Sequence, residues 1–369
     1  MNSLRIGVNA LYLIPAGVGG SEIYLRSLLL GLSQLETPHQ FEVFTNAETS
    51  PDLVPRHPNW CEHRTGVRAS IRPLRLLFEQ TLLPFACSDL DVLFCPGFTA
   101  PALAPCHTVT TIHDLQHVRH GEYFRRLDLP FWRYFVWQAV RTSTRLIAVS
   151  DQTRTDVLRH YSIPETKVIT VWHGVEQEFS AIAERRKRTC CEPIMLFPAT
   201  THLHKNHSRL LRAFRKFSLE SPEWRLVLTG VMGYAHESVC AEVAALGIER
   251  SVDILGWLPR AQLYDWFERA AALLYPSLFE GFGLPVLEGL TAGVPTACSA
   301  IEPLLTIVGD AALLFDPYSE SAILDGMRRI TQDEELRCRL ALAGPKQSAR
   351  YGGNACAEAT LRVLEQAVS

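Results

Sequence analysis

Apolar positions along the chain fall into short runs that alternate with stretches of helical period. Leu4–Val8, Phe41–Thr45, Val92–Cys95, Thr108–Ile112, Leu146–Val149 and Val168–Trp172 read as one series of strands. A second series comprises Ile194–Pro198, Leu226–Thr229, Val252–Leu255, Leu273–Tyr275, Thr296–Cys298 and Ala312–Phe315. Between them, Ser21–Leu35, Ser150–His160, Leu210–Phe217 and Pro285–Ala292 carry the spacing of amphipathic helices. Strands that are apolar on both faces and separated by helices predict parallel sheets covered on both sides. The two series part at Ala181–Pro193, where the run Glu184-Arg185-Arg186-Lys187-Arg188 has no apolar period and reads as a solvated linker. The pattern predicts two doubly wound α/β domains, residues 1–182 and 193–353, of about six strands each.

Composition narrows the class. With 369 residues, 47% apolar and 20% charged, the chain has material for a large core, which excludes global disorder. Lys and Arg number 36 against 39 Asp and Glu, a net charge of −3, so nothing suggests a nucleic-acid binder. No apolar run approaches the ~18–20 residues of a membrane-spanning helix. The N-terminal stretch, broken by Asn9, Pro15 and glycines, reads as strand, loop and helix instead of a cleaved signal. Ten cysteines form no C-x-x-C pair, which argues against a zinc ribbon or a disulfide framework. They read as small buried hydrophobes of a reducing compartment, and a cytoplasmic location is expected.

Open α/β sheets bind ligands outside the carboxyl ends of their strands, so polar and glycine-rich segments that directly follow a strand are the candidates. After the first strand comes Ala16-Gly17-Val18-Gly19-Gly20-Ser21-Glu22, leading into a helix whose free N–H groups suit a phosphate. The plainer reading is a turn with Ser21 as the helix cap. After Thr108–Ile112 stands His113-Asp114. Asp114 suits a cap, whereas His113 faces the crevice and offers a neutral ring to a sugar hydroxyl or leaving oxygen. His117 and His120 extend the cluster without the carboxylate that a zinc site would call for. After Ile194–Pro198 comes His202-Leu203-His204-Lys205-Asn206-His207, which enters a helix. A lysine there opposes the helix dipole, a cost that an anionic ligand would remove.

The most informative segment is Tyr275-Pro276-Ser277-Leu278-Phe279-Glu280-Gly281-Phe282-Gly283-Leu284-Pro285-Val286-Leu287-Glu288. Pro285 suits the first helical position, so two carboxylates flank a loop that opens a helix. Carboxylates are strong acceptors for paired hydroxyls. Capping and dipole complementarity would explain Glu288, but not Glu280 among aromatic residues. Asp89-Leu90-Asp91 has the spacing of a metal chelate, yet it precedes its strand and reads as turn chemistry.

These residues resemble the retaining nucleotide-sugar glycosyltransferases of family 4, with the GT-B fold. The resemblance rests on the E-x7-E stretch from Glu280 to Glu288, followed by Ala292-Gly293-Val294-Pro295. It is supported by Gly19-Gly20-Ser21-Glu22, His113-Asp114, Val149-Ser150, His173-Gly174-Val175, His204-Lys205-Asn206 and Leu255-Gly256-Trp257. It implies two Rossmann-like domains facing each other across a cleft, and a last helix within Asn354–Ala367 (residues 354–369) packed back on the N-terminal domain. Lys205 would bind the donor diphosphate, Glu288 the ribose hydroxyls, and Glu280 with the backbone of Gly281, Phe282, Gly283 and Leu284 the transferred sugar. His113 would contact that sugar near the reacting carbon, and Gly19 and Gly20 would approach the phosphates and the acceptor. Where many relatives carry an arginine, this chain has His204, so diphosphate binding would lean on Lys205, backbone amides or Arg209.

The implied reaction transfers a hexosyl group, mannosyl by analogy, from GDP-mannose or a UDP-hexose to a saccharide or lipid-linked saccharide acceptor in cell-surface polysaccharide or glycolipid synthesis. No cofactor and no dedicated metal are expected. The alternatives are a nucleotide-sugar epimerase of similar architecture and a non-catalytic nucleotide-sugar-binding subunit. Two basic, aromatic segments of the N-terminal half raise the further hypothesis of peripheral contact with the inner face of a membrane. One carries Arg68, Arg72 and Arg75 beside Leu76, Leu77, Phe78 and Leu82. The other, Phe124–Arg141, carries Arg125, Arg126, Arg133 and Arg141 beside Phe131, Trp132, Tyr134, Phe135 and Trp137. The commoner arrangement for such a pattern is a core-facing helix with a charged outer face.

Overall fold

The computed structural model describes residues 3–15, 17, 19–187 and 191–369. Ala16 and Val18 of the glycine loop, and Arg188 and Cys190 near the expected linker, lie outside the described residues. The chain divides into two compact units, one reaching Gly174 and resuming at Gly353–Ser369, the other Val175–Gly352.

The first domain is built on a parallel sheet. Its strands are β1 (Arg5–Asn9), β2 (Gln40–Thr45), β3 (Trp60–Arg64), β4 (Val92–Cys95), β5 (His107–Ile112), β6 (Arg145–Ala148) and β7 (Val168–Thr170), in the order β3-β2-β1-β4-β5-β6-β7. Side chains on both faces of the central strands, such as Ile6, Val8, Leu93 and Phe94, are fully buried, as expected where helices cover each face. Before Gly174 the helices are α1 (Gly20–Ser33), α2 (Arg72–Thr81), α3 (Leu83–Ala86), α4 (Gln116–Arg119), α5 (Leu129–Thr142) and α6 (Asp151–His160).

The edge strand β3 is absent from the apolar pattern. Its residues Trp-Cys-Glu-His-Arg are mostly exposed, so the strand is held by its ladder to β2 and by Trp60 stacked on Phe41, with ring centroids 4.3 Å apart. A strand with little buried surface leaves little hydrophobic signature.

The second domain repeats the plan with β8 (Glu192–Pro198), β9 (Arg225–Thr229), β10 (Val252–Gly256), β11 (Ala270–Tyr275), β12 (Thr296–Ser299) and β13 (Leu313–Phe315). These are also parallel, in the order β10-β9-β8-β11-β12-β13. Its helices are α7 (Gln177–Arg186), α8 (His207–Glu220), α9 (His236–Leu246), α10 (Arg260–Arg269), α11 (Leu284–Thr291), α12 (Leu304–Val308), α13 (Glu320–Gln332) and α14 (Glu334–Ser348). The final helix, α15 (Gly353–Val368), belongs to the first domain. There Cys356, Ala357, Val363 and Leu364 join the core that includes Leu25, Leu28 and Leu32 of α1.

The expected linker at 181–193 is corrected. The division falls at Gly174, and much of that stretch is α7, which buries Phe179, Ile182 and Ala183. Its arginines are engaged. Arg186 Nη1 donates to the carbonyls of Phe267 (2.9 Å), Glu268 (2.7 Å) and Ala270 (2.7 Å) at the end of α10. Arg185 pairs with Glu178 and Glu268. Donors aimed at the open carbonyls of a helix C-terminus are favourable, so this basic run clips one helix to another.

Candidate functional site

In the second sheet the order reverses between β8 and β11, which makes their carboxyl ends the expected ligand crevice. Two chain segments converge there. The segment after β8 makes a single turn, Leu203–Lys205, before Asn206 adopts a left-handed conformation (φ 65°) and opens α8. The segment after β11 runs from Pro276 to Gly283. Asn206 Nδ2 donates to the Pro276 carbonyl at 2.9 Å and to that of Pro317 at 2.8 Å. The His204 carbonyl accepts from Leu278 N at 2.7 Å and from Ser277 Oγ at 3.2 Å. Backbone and amide groups thus lock the two segments together.

Lys205 and Glu280, 75 residues apart in sequence, meet in that lock. The Lys205 ammonium donates to Glu280 Oε1 at 2.6 Å and to the Tyr275 hydroxyl at 3.0 Å. Tyr275 ends β11 and is fully buried; burial, reinforced by the Glu280 carboxylate, pushes its hydroxyl far above the ordinary range. Phe279 and Phe282 flank Glu280 and are themselves buried. The lysine that the sequence leaves without a partner therefore finds one in the next segment. His204 is buried, with its ring 5.7 Å from that of His202. Arg209 Nη1 donates to Asn206 Oδ1 at 3.0 Å, and its guanidinium lies 5.9 Å from the Tyr318 ring centre.

The loop ends at Gly283, whose φ of 108° suits glycine and whose Cβ, were there one, would lie 2.3 Å from Leu304 Cδ2. Helix α11 begins at Leu284, with Pro285 in its first turn and no acidic residue there. Glu288 is thus no cap. It is buried on the fifth helical residue, where Oε1 accepts from Arg260 Nη2 at 2.9 Å. The same guanidinium is held by Glu176, whose Oε2 also accepts from the Tyr264 hydroxyl at 2.8 Å. Burial raises the Glu288 carboxyl, Arg260 opposes that rise, and Glu176 adds to it. Sequence reasoning missed Arg260 and Glu176. Each closely follows a noted segment, Leu255-Gly256-Trp257 and His173-Gly174-Val175 respectively, and that adjacency was the available signal.

On the first domain the order reverses between β1 and β4. His113 follows β5 with its Nε2 at 2.7 Å from the Pro96 carbonyl. A carbonyl only accepts, so the proton sits on Nε2 and Nδ1 carries the lone pair. Burial lowers the His113 pKa to about 4, so the ring is neutral at physiological pH. It is walled by Tyr24 (5.1 Å, edge-on), Phe98 (5.0 Å) and His173, stacked at 5.4 Å. Asp114 Oδ1 accepts from Gln116 N at 2.8 Å, the turn role expected of it. His117 and His120 go to separate partners, Tyr161 and Glu122. Among the described residues no three His, Cys, Asp or Glu side chains gather as a metal-binding group.

Gly19 (φ 61°), not Ser21, is the cap of α1, and Gly20 opens the helix. Asp91 Oδ2 accepts from Arg5 N at 2.7 Å at the amino edge of the sheet. Among the described residues no helix is long and apolar enough to cross a membrane.

Residues 182–347 match the family model "Glycosyl transferases group 1", and residues 18–179 match "Glycosyltransferase Family 4". The chain therefore belongs to the glycosyltransferases of GT-B fold. It is 26% identical over 269 residues to O-antigen chain mannosyltransferase B of Escherichia coli, covering 70% of each chain. It is 29% identical to a D-inositol 3-phosphate glycosyltransferase of Frankia alni over 95% of each. Among solved structures, Alr3699/HepE of Anabaena in complex with UDP and glucose superposes with a TM-score of 0.76 at 15% identity. That match covers 99% of this chain and 100% of the other.

Proposed function

We propose that the protein is a retaining, metal-independent glycosyltransferase. It moves a hexosyl group, mannosyl in our reading, from a nucleoside-diphosphate sugar such as GDP-mannose or a UDP-hexose to a saccharide or lipid-linked saccharide acceptor. The observation that carries this reading is the Lys205–Glu280–Tyr275 cluster at the β8/β11 switch point. A cation and a carboxylate held against each other match the two halves of such a donor. The diphosphate takes the ammonium, and sugar hydroxyls donate to the carboxylate that the ammonium releases. Charge builds on the leaving diphosphate as the bond to the sugar breaks. Once it has left Glu280, Lys205 meets that charge together with the backbone N–H groups at the start of α8 and α11.

In the same reading Glu288, aimed by Arg260, takes the ribose hydroxyls. Gly281, Phe282, Gly283 and Leu284 contact the sugar through their backbone, and His204 and Arg209 border the phosphates. His113 offers its Nδ1 lone pair to a hydroxyl of the transferred sugar, and Gly19 and Gly20 serve phosphate and acceptor. The mannosyl choice is supported by the E. coli relative, the diphosphate by the UDP-bound neighbour, and synthesis of cell-surface polysaccharide or glycolipid by the O-antigen name of that relative.

The test is a panel of nucleotide sugars scored by thermal shift and then by turnover. A donor that binds the native state raises the melting temperature. With acceptor present, nucleoside diphosphate is released and the product keeps the donor's anomeric configuration. No shift with any donor, an inverted product, or an epimer still attached to its nucleotide would each overturn the proposal.

A further inference from the structure

Phe98, in the loop that follows β4, has a φ of 70°, a left-handed backbone that bulky residues rarely adopt. Such a residue persists only where its surroundings fix it. Here they do so on both sides. Phe98 N donates to the Thr111 carbonyl of β5 at 3.3 Å. Before it, Gly97 lies against the Tyr12 ring, where a Cβ would stand 2.4 Å from Tyr12 Cδ1. After it, Thr99 Oγ1 donates to Glu79 Oε2 at 2.9 Å. Gln80 of the same helix, α2, then holds Ala100 O and Ala102 N, each at 2.9 Å.

Glu79 anchors this arrangement. It is 1% exposed, and the oxygen that takes Thr99 also accepts from Asn9 Nδ2, at the end of β1, at 3.0 Å. Arg75 Nη1 lies 3.6 Å away. A buried carboxylate is costly unless it is hydrogen-bonded. These donors tie it to β1 and to the loop after β4, the two strands between which the order of the first sheet reverses.

The loop in turn holds His113. Its Pro96 carbonyl accepts the His113 Nε2 proton at 2.7 Å, and the Phe98 ring stands 5.0 Å from the imidazole at 55°. The same Phe98 ring meets Trp132 of α5 edge-on at 5.5 Å. In a histidine, the bond made at one ring nitrogen decides what the other can do. The place of one loop carbonyl therefore sets where the Nδ1 lone pair points.

We infer that Glu79 is a positioning residue: through Thr99 and the strained turn at Phe98 it fixes the Pro96 carbonyl, and with it the direction in which His113 presents Nδ1. The expected effect on rate rests on the role proposed above for His113, whereas the effect on the ring does not.

The test is Thr99→Val, which removes the hydroxyl that ties the loop to Glu79 and nearly keeps the side chain's shape. Thr99→Ser is its conservative partner. The first readout is the His113 Nε2–H signal in NMR spectra of the ¹⁵N-labelled full chain, recognised by its absence from His113→Gln. In the wild type this proton is bonded to a carbonyl and should be protected from exchange with water. Thr99→Val should lower that protection about tenfold or more. Its kcat should fall roughly 10–10²-fold while the donor KM stays within about twofold, and Thr99→Ser should recover both signal and rate. Glu79→Leu removes both bonds to the anchor and should match Thr99→Val or exceed it; if it does not fold, Thr99→Val alone decides. An unchanged Nε2–H signal in Thr99→Val would overturn the inference, whatever the turnover, and so would equal loss in Thr99→Ser. Loss of the signal with kcat unchanged would uphold the positioning and instead remove His113 from the proposed transfer.

Discussion

The two domains share one plan, a doubly wound parallel sheet, yet they treat charge differently. In the second domain the charges of the candidate site, among them the buried carboxylates of Glu280 and Glu288, face each other: Lys205 meets Glu280, and Arg260 meets Glu288 and Glu176. In the first domain the candidate side chain beside the switch point, His113, is kept neutral by burial, and Leu74 and Leu77 of α2 are exposed. One domain pairs the charges of its candidate site with one another. The other holds its candidate side chain uncharged.

The largest test of this contrast is Arg260→Met. It leaves two carboxylates without their shared cation, one of them deeply buried, and should cost about 3–5 kcal/mol of stability. Urea unfolding would measure the loss, and Glu288→Gln in the same background should recover part of it. Unchanged stability would mean that the network contributes nothing.

Next comes Lys205→Ala, for which transfer should fall by roughly 10²–10³ while the protein stays folded by circular dichroism. Near-normal kcat/KM would remove Lys205 from the proposed role. The double variant Lys205→Ala/Glu280→Gln separates the chemistry from the effect of stranding a carboxylate. Its melting temperature should recover while its turnover does not.

The smallest effect is that of pH on the first domain. The folded pKa of His113, about 4, lies below the ordinary 6.5. Between those values the unfolded chain binds a proton that the native ring does not. The contribution is complete above pH 6.5 and is lost as pH falls toward 4, with a slope of at most about 1.4 kcal/mol per pH unit. His113→Gln should flatten that part of the stability profile, read by thermal melts across the range. His117, lowered to about 4, gives a similar slope and remains in the variant as an internal reference. Equal profiles for wild type and variant would show that burial does not hold His113 neutral.

Most of the fold was legible because its strands are buried on both faces and leave continuous apolar runs. What escaped is informative. β3 is an exposed edge strand, and its side chains carry no burial signal. The basic run near residue 185 reads as solvent-facing, but Arg186 satisfies helix carbonyls, a role set by tertiary placement that spacing does not reveal. At the site, the loop from Glu280 to Glu288 was visible through its glycines, proline and carboxylates. The ion pairs were not, since Lys205 and Glu280 belong to segments that only the sheet order brings together. Helix α2 shows the limit most sharply. Its arginines and leucines alternate as in any amphipathic helix, and only the packing shows that Arg75 points inward and Leu77 outward.

Helix α15 gives the chain an order of assembly. The core of the first domain takes Cys356, Ala357, Val363 and Leu364 from a helix that follows the whole second domain in the chain. Residues 175–352 hold every described strand of their own sheet, so that sheet does not wait on α15. Until residues 353–368 have been made, α1 lacks the helix that packs against its leucines. Premature termination anywhere before Gly353 would therefore damage the half of the protein that had already been made.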